Sequence, residues 1–203
     1  MDFRKILINV FTSLIILVRR CILLIFYPYK TMRNIALKGD YYQVVLIFLI
    51  TFLYFLFSHS LRGVPFFAVF AYCIFVLLFL TTVLFFYLFS KPSKKEIQID
   101  SFIFTFSYTL IPTLIWFYSN FLLFIFLPPP RTMSILGKGF SIFFIAYSIS
   151  LLIWKLILIY LALRFSSRLG LYRIIYMFLI YAAIFIPLSL FFYYFKIFRI
   201  PFI

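Results

Sequence analysis

The stretch PFFAVFAYCIFVLLFLTTVLFFYLF, Pro65 to Phe89, contains no charged residue. Coiled into a helix at 1.5 Å per residue it reaches about 37 Å, more than the roughly 30 Å of hydrocarbon in a bilayer. A helix that is apolar on every side needs either a large protein core or lipid around it. The rest of the chain decides between the two. Of its 203 residues 67% are hydrophobic and 11% charged, where soluble domains run at about half and a quarter. One aqueous core of this size cannot hide that excess, whereas acyl chains solvate it directly. The fold class is all-α, a polytopic transmembrane helix bundle.

Four stretches of the same kind flank the first: Tyr41 to Phe57, Phe102 to Leu127, a run after Gly137-Lys138-Gly139 ending near Leu163, and Ile174 to Phe195. Polar punctuation separates them. It comprises Ser58-His59-Ser60-Leu61-Arg62-Gly63, the hydrophilic Ser90-Lys91-Pro92-Ser93-Lys94-Lys95-Glu96, Pro128-Pro129-Pro130-Arg131, and a loop with Arg164, Arg168 and Arg173. Five spans follow. Pro112 predicts a kink in the third, because proline lacks an N–H and its ring crowds the carbonyl four residues back. Ahead of the first span, Pro28-Tyr29-Lys30-Thr31-Met32-Arg33 reads as a break and a short basic connector ending near Gly39-Asp40.

Residues 1–27 differ from the rest. Arg19-Arg20 interrupt them, and the longest uncharged stretch, Ile6 to Val18, is short for a span. On a helical wheel Arg4, Lys5, Asn9, Thr12, Ser13, Arg19 and Arg20 share one half, and Phe3, Leu7, Val10, Phe11, Leu14, Leu17, Val18 and Cys21 the other. That pattern predicts an interfacial amphipathic helix lying in the membrane plane, basic face toward the headgroups. Two rivals stay open. A signal peptide would need a small-residue cleavage site, and none follows. A sixth span would place Arg19-Arg20 in or beside the bilayer. The expected organisation is residues 1–27 at the interface and a five-span domain over 28–203.

The net charge of +15 raises the question of nucleic acid. The bases lie between apolar runs and not on one recognition element, so anionic lipid headgroups are the expected partner and nucleic acid is not. Thirteen lysines and arginines fall on the side of the N-terminus and five on the opposite side. By the excess of bases on cytoplasmic loops, the N-terminus is inside and the C-terminus outside. Arg19, Arg20, Lys30, Arg33, Lys94, Lys95, Arg164 and Arg168 are then the basic surface that meets lipid or a protein partner.

Catalytic chemistry finds little support. The four carboxylates, Asp2, Asp40, Glu96 and Asp100, sit in connectors or at span ends, which leaves no proton relay in the membrane and no paired acid and base. His59 stands in a short turn without a nucleophile pattern beside it. Cys21 and Cys73 lie in apolar runs without metal-ligand spacing and read as packing residues. No catalytic residue, metal or cofactor is expected. Lys155, next to Trp154 inside the fourth span, is the anomaly, since a charge within the bilayer is costly and usually functional. Ser141, Ser148, Lys155 and Ala162 recur at heptad spacing. Ser101, Thr105, Tyr108, Pro112, Trp116 and Ser119 form a second polar stripe on the third span, and the two stripes are predicted to meet. Lys155 has two readings: it snorkels or pairs with Asp100, or it holds an anionic headgroup or a partner's carboxylate.

The order of landmarks resembles the Yip domain family of multi-span membrane proteins. It is carried by Tyr27-Pro28-Tyr29-Lys30-Thr31-Met32-Arg33-Asn34-Ile35, then Tyr108-Thr109-Leu110-Ile111-Pro112, then Trp154 ahead of Leu161-Ala162-Leu163-Arg164-Phe165-Ser166-Ser167-Arg168. The likeness covers Pro28 to the C-terminus. It implies five spans, a cytoplasmic N-terminus and a non-enzymatic scaffold that associates with other membrane proteins or with itself. Eukaryotic members bind Rab/Ypt GTPases. The compact form, without a long polar N-terminal region, is similar to the prokaryotic branch and implies the plasma membrane. The expected function is therefore an adaptor that organises protein partners or lipids. The alternative is a small-solute transporter or its substrate-binding subunit, suggested by the kinked third span and by Lys155.

Overall fold

Lipid offers the backbone no hydrogen-bond partner, so each long apolar run closes its own amide bonds as a helix. The computed structural model describes residues 3–61, 66–91, 98–126 and 135–195, and among them eight α-helices and no strand. They are α1 (Phe3–Phe26), α2 (Pro28–Leu37), α3 (Tyr41–Ser60), α4 (Phe66–Ser90), α5 (Ile99–Thr109), α6 (Ile111–Phe126), α7 (Ile135–Ser167) and α8 (Leu171–Tyr194). Six stretches are long and apolar enough to cross a membrane: 8–26, 41–60, 67–90, 99–126, 138–167 and 171–192. The chain is an integral membrane protein built as a helical bundle.

The third expected span breaks where Pro112 predicts. α5 stops at Thr109 and α6 begins at Ile111, with Leu110 N–H bonding back to the Ser107 carbonyl at 3.2 Å and Leu114 N–H to the Leu110 carbonyl at 2.8 Å. The break sits in the most enclosed part of the molecule. Every residue from Thr105 to Pro112 is buried, because α5 packs on α2, α3, α4 and α7. The polar side chains there are satisfied locally. Ser107 Oγ donates to the Ile103 carbonyl at 2.7 Å and Thr109 Oγ1 to the Phe106 carbonyl at 2.7 Å, which is how a small hydroxyl survives in an apolar interior.

α4 buries one stripe, Ala68, Ala71, Phe75, Phe79, Val83 and Phe86, from which Phe75 and Phe79 meet Phe55 and Phe48 of α3. The two alanines let the backbones approach closely. Phe86 stacks on Phe106 at 5.4 Å and Tyr54 on Phe117 at 4.3 Å, so rings from α3, α4, α5 and α6 build one core. α8 leans on α4 and α7.

Two expectations change. Residues 28–37 are not a connector but helix α2, started by Pro28 in its first turn. Its buried side, Thr31, Met32 and Ile35, lies on the ends of α5 and α7. The segment is too short and too polar to show a strong apolar run, and only the packed bundle end gives its three inward residues something to cover. The second change concerns the buried side of α1. Its packed residues are Ser13, Leu17 and Leu24 with Arg20 beside them, while Phe11, Leu14, Val18, Ile22 and Phe26 are exposed. The seam between the two halves of the wheel faces the protein, and the apolar half faces outward. Over about 10 Å of α1, from Ser13 to Arg20, the hydrogen bonds to the rest of the bundle go to residues 38–43 at the opening of α3.

Candidate anion-binding cleft at the α2 end

A cleft of about 690 Å³ opens where α2, the start of α5 and the end of α7 converge. Arg33 comes from α2, Gln98 and Ser101 from the start of α5, and Arg164, Ser166 and Arg168 from the end of α7 and the turn after it; Ala36, Leu37, Phe165 and Leu169 complete the wall. None of the described residues that line it is acidic. Three guanidiniums, three neutral polar side chains and the first turn of a helix, whose N–H groups lack helical partners, together favour an anion.

Local chemistry fixes each wall. Arg164 donates to Tyr160 Oη at 3.0 Å, and its guanidinium lies 5.8 Å from the centre of the Tyr29 ring. Tyr29 in turn meets Phe165 edge-on at 4.9 Å, which ties α2 to α7. Ser166 Oγ bonds Thr105 Oγ1 at 2.8 Å and donates to the Ser101 carbonyl at 3.1 Å, so the α5 wall is held to the α7 wall. Arg168 has φ 53°, a left-handed conformation, and closes α7 through its N–H to the Arg164 carbonyl at 3.2 Å. Glycine is the usual residue there, and an arginine accepts about 1 kcal/mol or more of strain to hold its place. Ser167 Oγ braces the turn, accepting from Leu169 N–H at 3.3 Å and donating to the Leu163 carbonyl at 2.5 Å.

A second cluster stands beside α1. Arg20 donates to Gln43 Oε1 at 2.5 Å and to the Lys38 carbonyl at 2.9 Å, and Tyr108 Oη donates to the same Gln43 oxygen. Gln43 is 2% exposed and Tyr108 1%. Arg20 also lies 6.0 Å from the Tyr108 ring centre. Ser13 Oγ donates to Asp40 Oδ2 at 2.6 Å, while Asp40 Oδ1 caps α3 by accepting from Tyr42 N–H at 3.0 Å. Arg20, expected on the lipid-facing basic surface, is instead turned inward to Gln43. Arg19, its neighbour, is exposed.

The other predicted residues fall as follows. Arg33, Arg164 and Arg168 come together in the cleft, with Lys30 exposed on the same helix as Arg33. Lys94 and Lys95 lie outside the described residues. The two polar stripes meet: Trp116 Nε1 donates to Ser148 Oγ at 3.0 Å, and Ser119 Oγ bonds Tyr147 Oη at 2.8 Å. Trp154 is half-buried against the core. Lys155 makes no pair with Asp100, which accepts from Tyr41 Oη at 2.6 Å near the Ser101–Ser166 contact. The two residues belong to different levels of the bundle, about 16 Å apart along α7. Gln43 and Gln98 were not legible as site residues in the sequence, and Tyr29 and Ser166 stood there only within the Pro28 and Trp154–Arg168 landmarks. A polar residue one turn into an apolar span was the available signal for Gln43.

No protein-family model, curated protein or solved structure matches the chain.

Proposed function

We propose that this protein is a non-catalytic membrane organiser that gathers anionic phospholipid at its basic end, holding a phosphate headgroup in the cleft of Arg33, Arg164 and Arg168. The observation that carries it is the convergence of those three arginines from two helices and a turn on one cavity whose described lining residues include no acid. Placing that end in the cytoplasm, α1 in the interfacial plane and the chain in a prokaryotic plasma membrane belongs to the same proposal, supported by the excess of bases on that side. So does membership of the Yip domain family, which rests on the order of the Pro28, Tyr108–Pro112 and Trp154–Arg168 landmarks. Protein partners or a second copy would dock on the same basic face.

The test is lipid retention by the full chain in neutral nanodiscs doped with an anionic phospholipid, followed by native mass spectrometry. Each base near an anionic headgroup contributes about 1 kcal/mol, so Arg33→Gln/Arg164→Gln/Arg168→Gln together should weaken retention roughly 100-fold. Arg19→Gln/Lys30→Gln/Lys38→Gln removes the same charge from outside the cleft and should weaken it far less. Equal losses in the two variants would reduce the site to diffuse charge.

The break at Leu110 favours a second reading, a small-solute transporter, since broken helices mark transport sites. Solute flux into proteoliposomes that disappears in Lys155→Met would establish it.

A further inference from the structure

Lys155 lies nine residues before the exposed Arg164, about 13 Å deeper along α7, and its side chain leans further from that end. That is close to the middle of a roughly 30 Å hydrocarbon layer. No described residue hydrogen-bonds its ammonium. Thr113 Oγ1 is the one buried side-chain oxygen or nitrogen among the described residues without a hydrogen-bond partner. The two stand on facing helices. α6 and α7 run antiparallel, clasped by the Trp116–Ser148 bond. Thr113 is one turn from Trp116 and Lys155 two turns from Ser148, both toward the α2 end. Neither the ammonium nor the hydroxyl finds an acceptor among the described residues.

The outer side of the same helix is open. No residue of α7 from Lys138 to Ile157 is buried, and burial begins at Leu158. Lys155 is itself half-buried, with its nitrogen outside the set of sealed atoms. Acyl chains cover apolar side chains well but carry no countercharge, and headgroups lie half a bilayer away. A second copy of this chain brings no acid to that depth either. Its four carboxylates, Asp2, Asp40, Glu96 and Asp100, stand before α1, at the opening of α3, between α4 and α5, and in the first turn of α5.

We infer that the open face of α7 beside the α6/α7 seam docks a transmembrane helix of a different protein, whose aspartate or glutamate accepts from Lys155 Nζ at mid-membrane. This uses the spanning of α7 and is independent of the arginine cleft. A carboxylate there meets a mid-membrane charge without a partner among the described residues, and the bare face of α7 receives the rest of the helix.

The test places a photo-crosslinking amino acid at the exposed Leu152 of the full chain in its native membranes, with crosslinked peptides identified by mass spectrometry. The expected product is a peptide from another protein's hydrophobic span containing Asp or Glu. Its yield should fall about tenfold in Lys155→Met, as a pairing of 1–2 kcal/mol implies, and persist in Lys155→Arg. Lys155→Glu should abolish it, and exchanging the partner's acid for lysine should restore it. Lys155→Gln is the second probe, with a similar loss, should Lys155→Met not fold. Crosslinks to lipid alone, to a second copy, or in yields indifferent to residue 155 overturn the inference. Neither result bears on headgroup retention in the cleft, so the two ideas fail separately.

Discussion

Arg20 and Lys155 are both cations set into apolar helices, and the bundle treats them in opposite ways. Arg20 is fully engaged, with Gln43, the Lys38 carbonyl and the Tyr108 ring around it. It joins α1 to α3 and, through Gln43, to α5. Lys155 has no described partner, on a stretch of α7 where nothing is buried. The difference teaches that a charge in a membrane protein is structural where the chain supplies its acceptors, and points to something outside the chain where it does not.

That contrast can be broken by stability measurements in detergent, using reversible denaturant titration. Gln43→Leu should have the largest effect, about 3 kcal/mol, because it strands two donors, Arg20 and Tyr108, in a closed space. Gly39→Ala follows at about 2 kcal/mol, since a Cβ would stand 1.8 Å from Phe104 Cδ2 beside the Asp40 cap. Arg20→Met should cost about 1.5 kcal/mol, the net value of a charge-assisted bond to a buried acceptor. A double-mutant cycle of Trp116→Phe with Ser148→Ala should show coupling near 0.6 kcal/mol, as is usual for side-chain bonds between membrane helices. Lys155→Met should lie within about 0.5 kcal/mol of the parent, of either sign, because no contact in the bundle is lost. A cost for Lys155→Met equal to that of Arg20→Met would erase the distinction and make both residues internal struts.

Much of the architecture was legible because lipid imposes so few options. The run Pro65 to Phe89 has to become a helix, and α4 occupies 66–90. Pro112 breaks its span for reasons internal to the backbone, and the polar stripes meet because small hydroxyls on two apolar helices have few other acceptors. The arginines of the cleft were named individually, yet their convergence was not legible. Arg33 and Arg164 are far apart in the chain, and nothing local to α2 says that it lies across the end of α7. Gln43 was passed over for a related reason. Its importance depends on Arg20 and Tyr108 arriving from two other helices.

Sequence by itself determined the solvent, the helices and their breaks, since these depend on side-chain transfer to lipid and on backbone amides that each segment satisfies alone. Only the tertiary structure decided which charges are paired and which stand open. Pairing depends on distances between residues remote in the chain, and these are set by how whole helices pack. Two arginines adjacent in sequence, Arg19 and Arg20, show it: one turns to the surface and the other into the bundle.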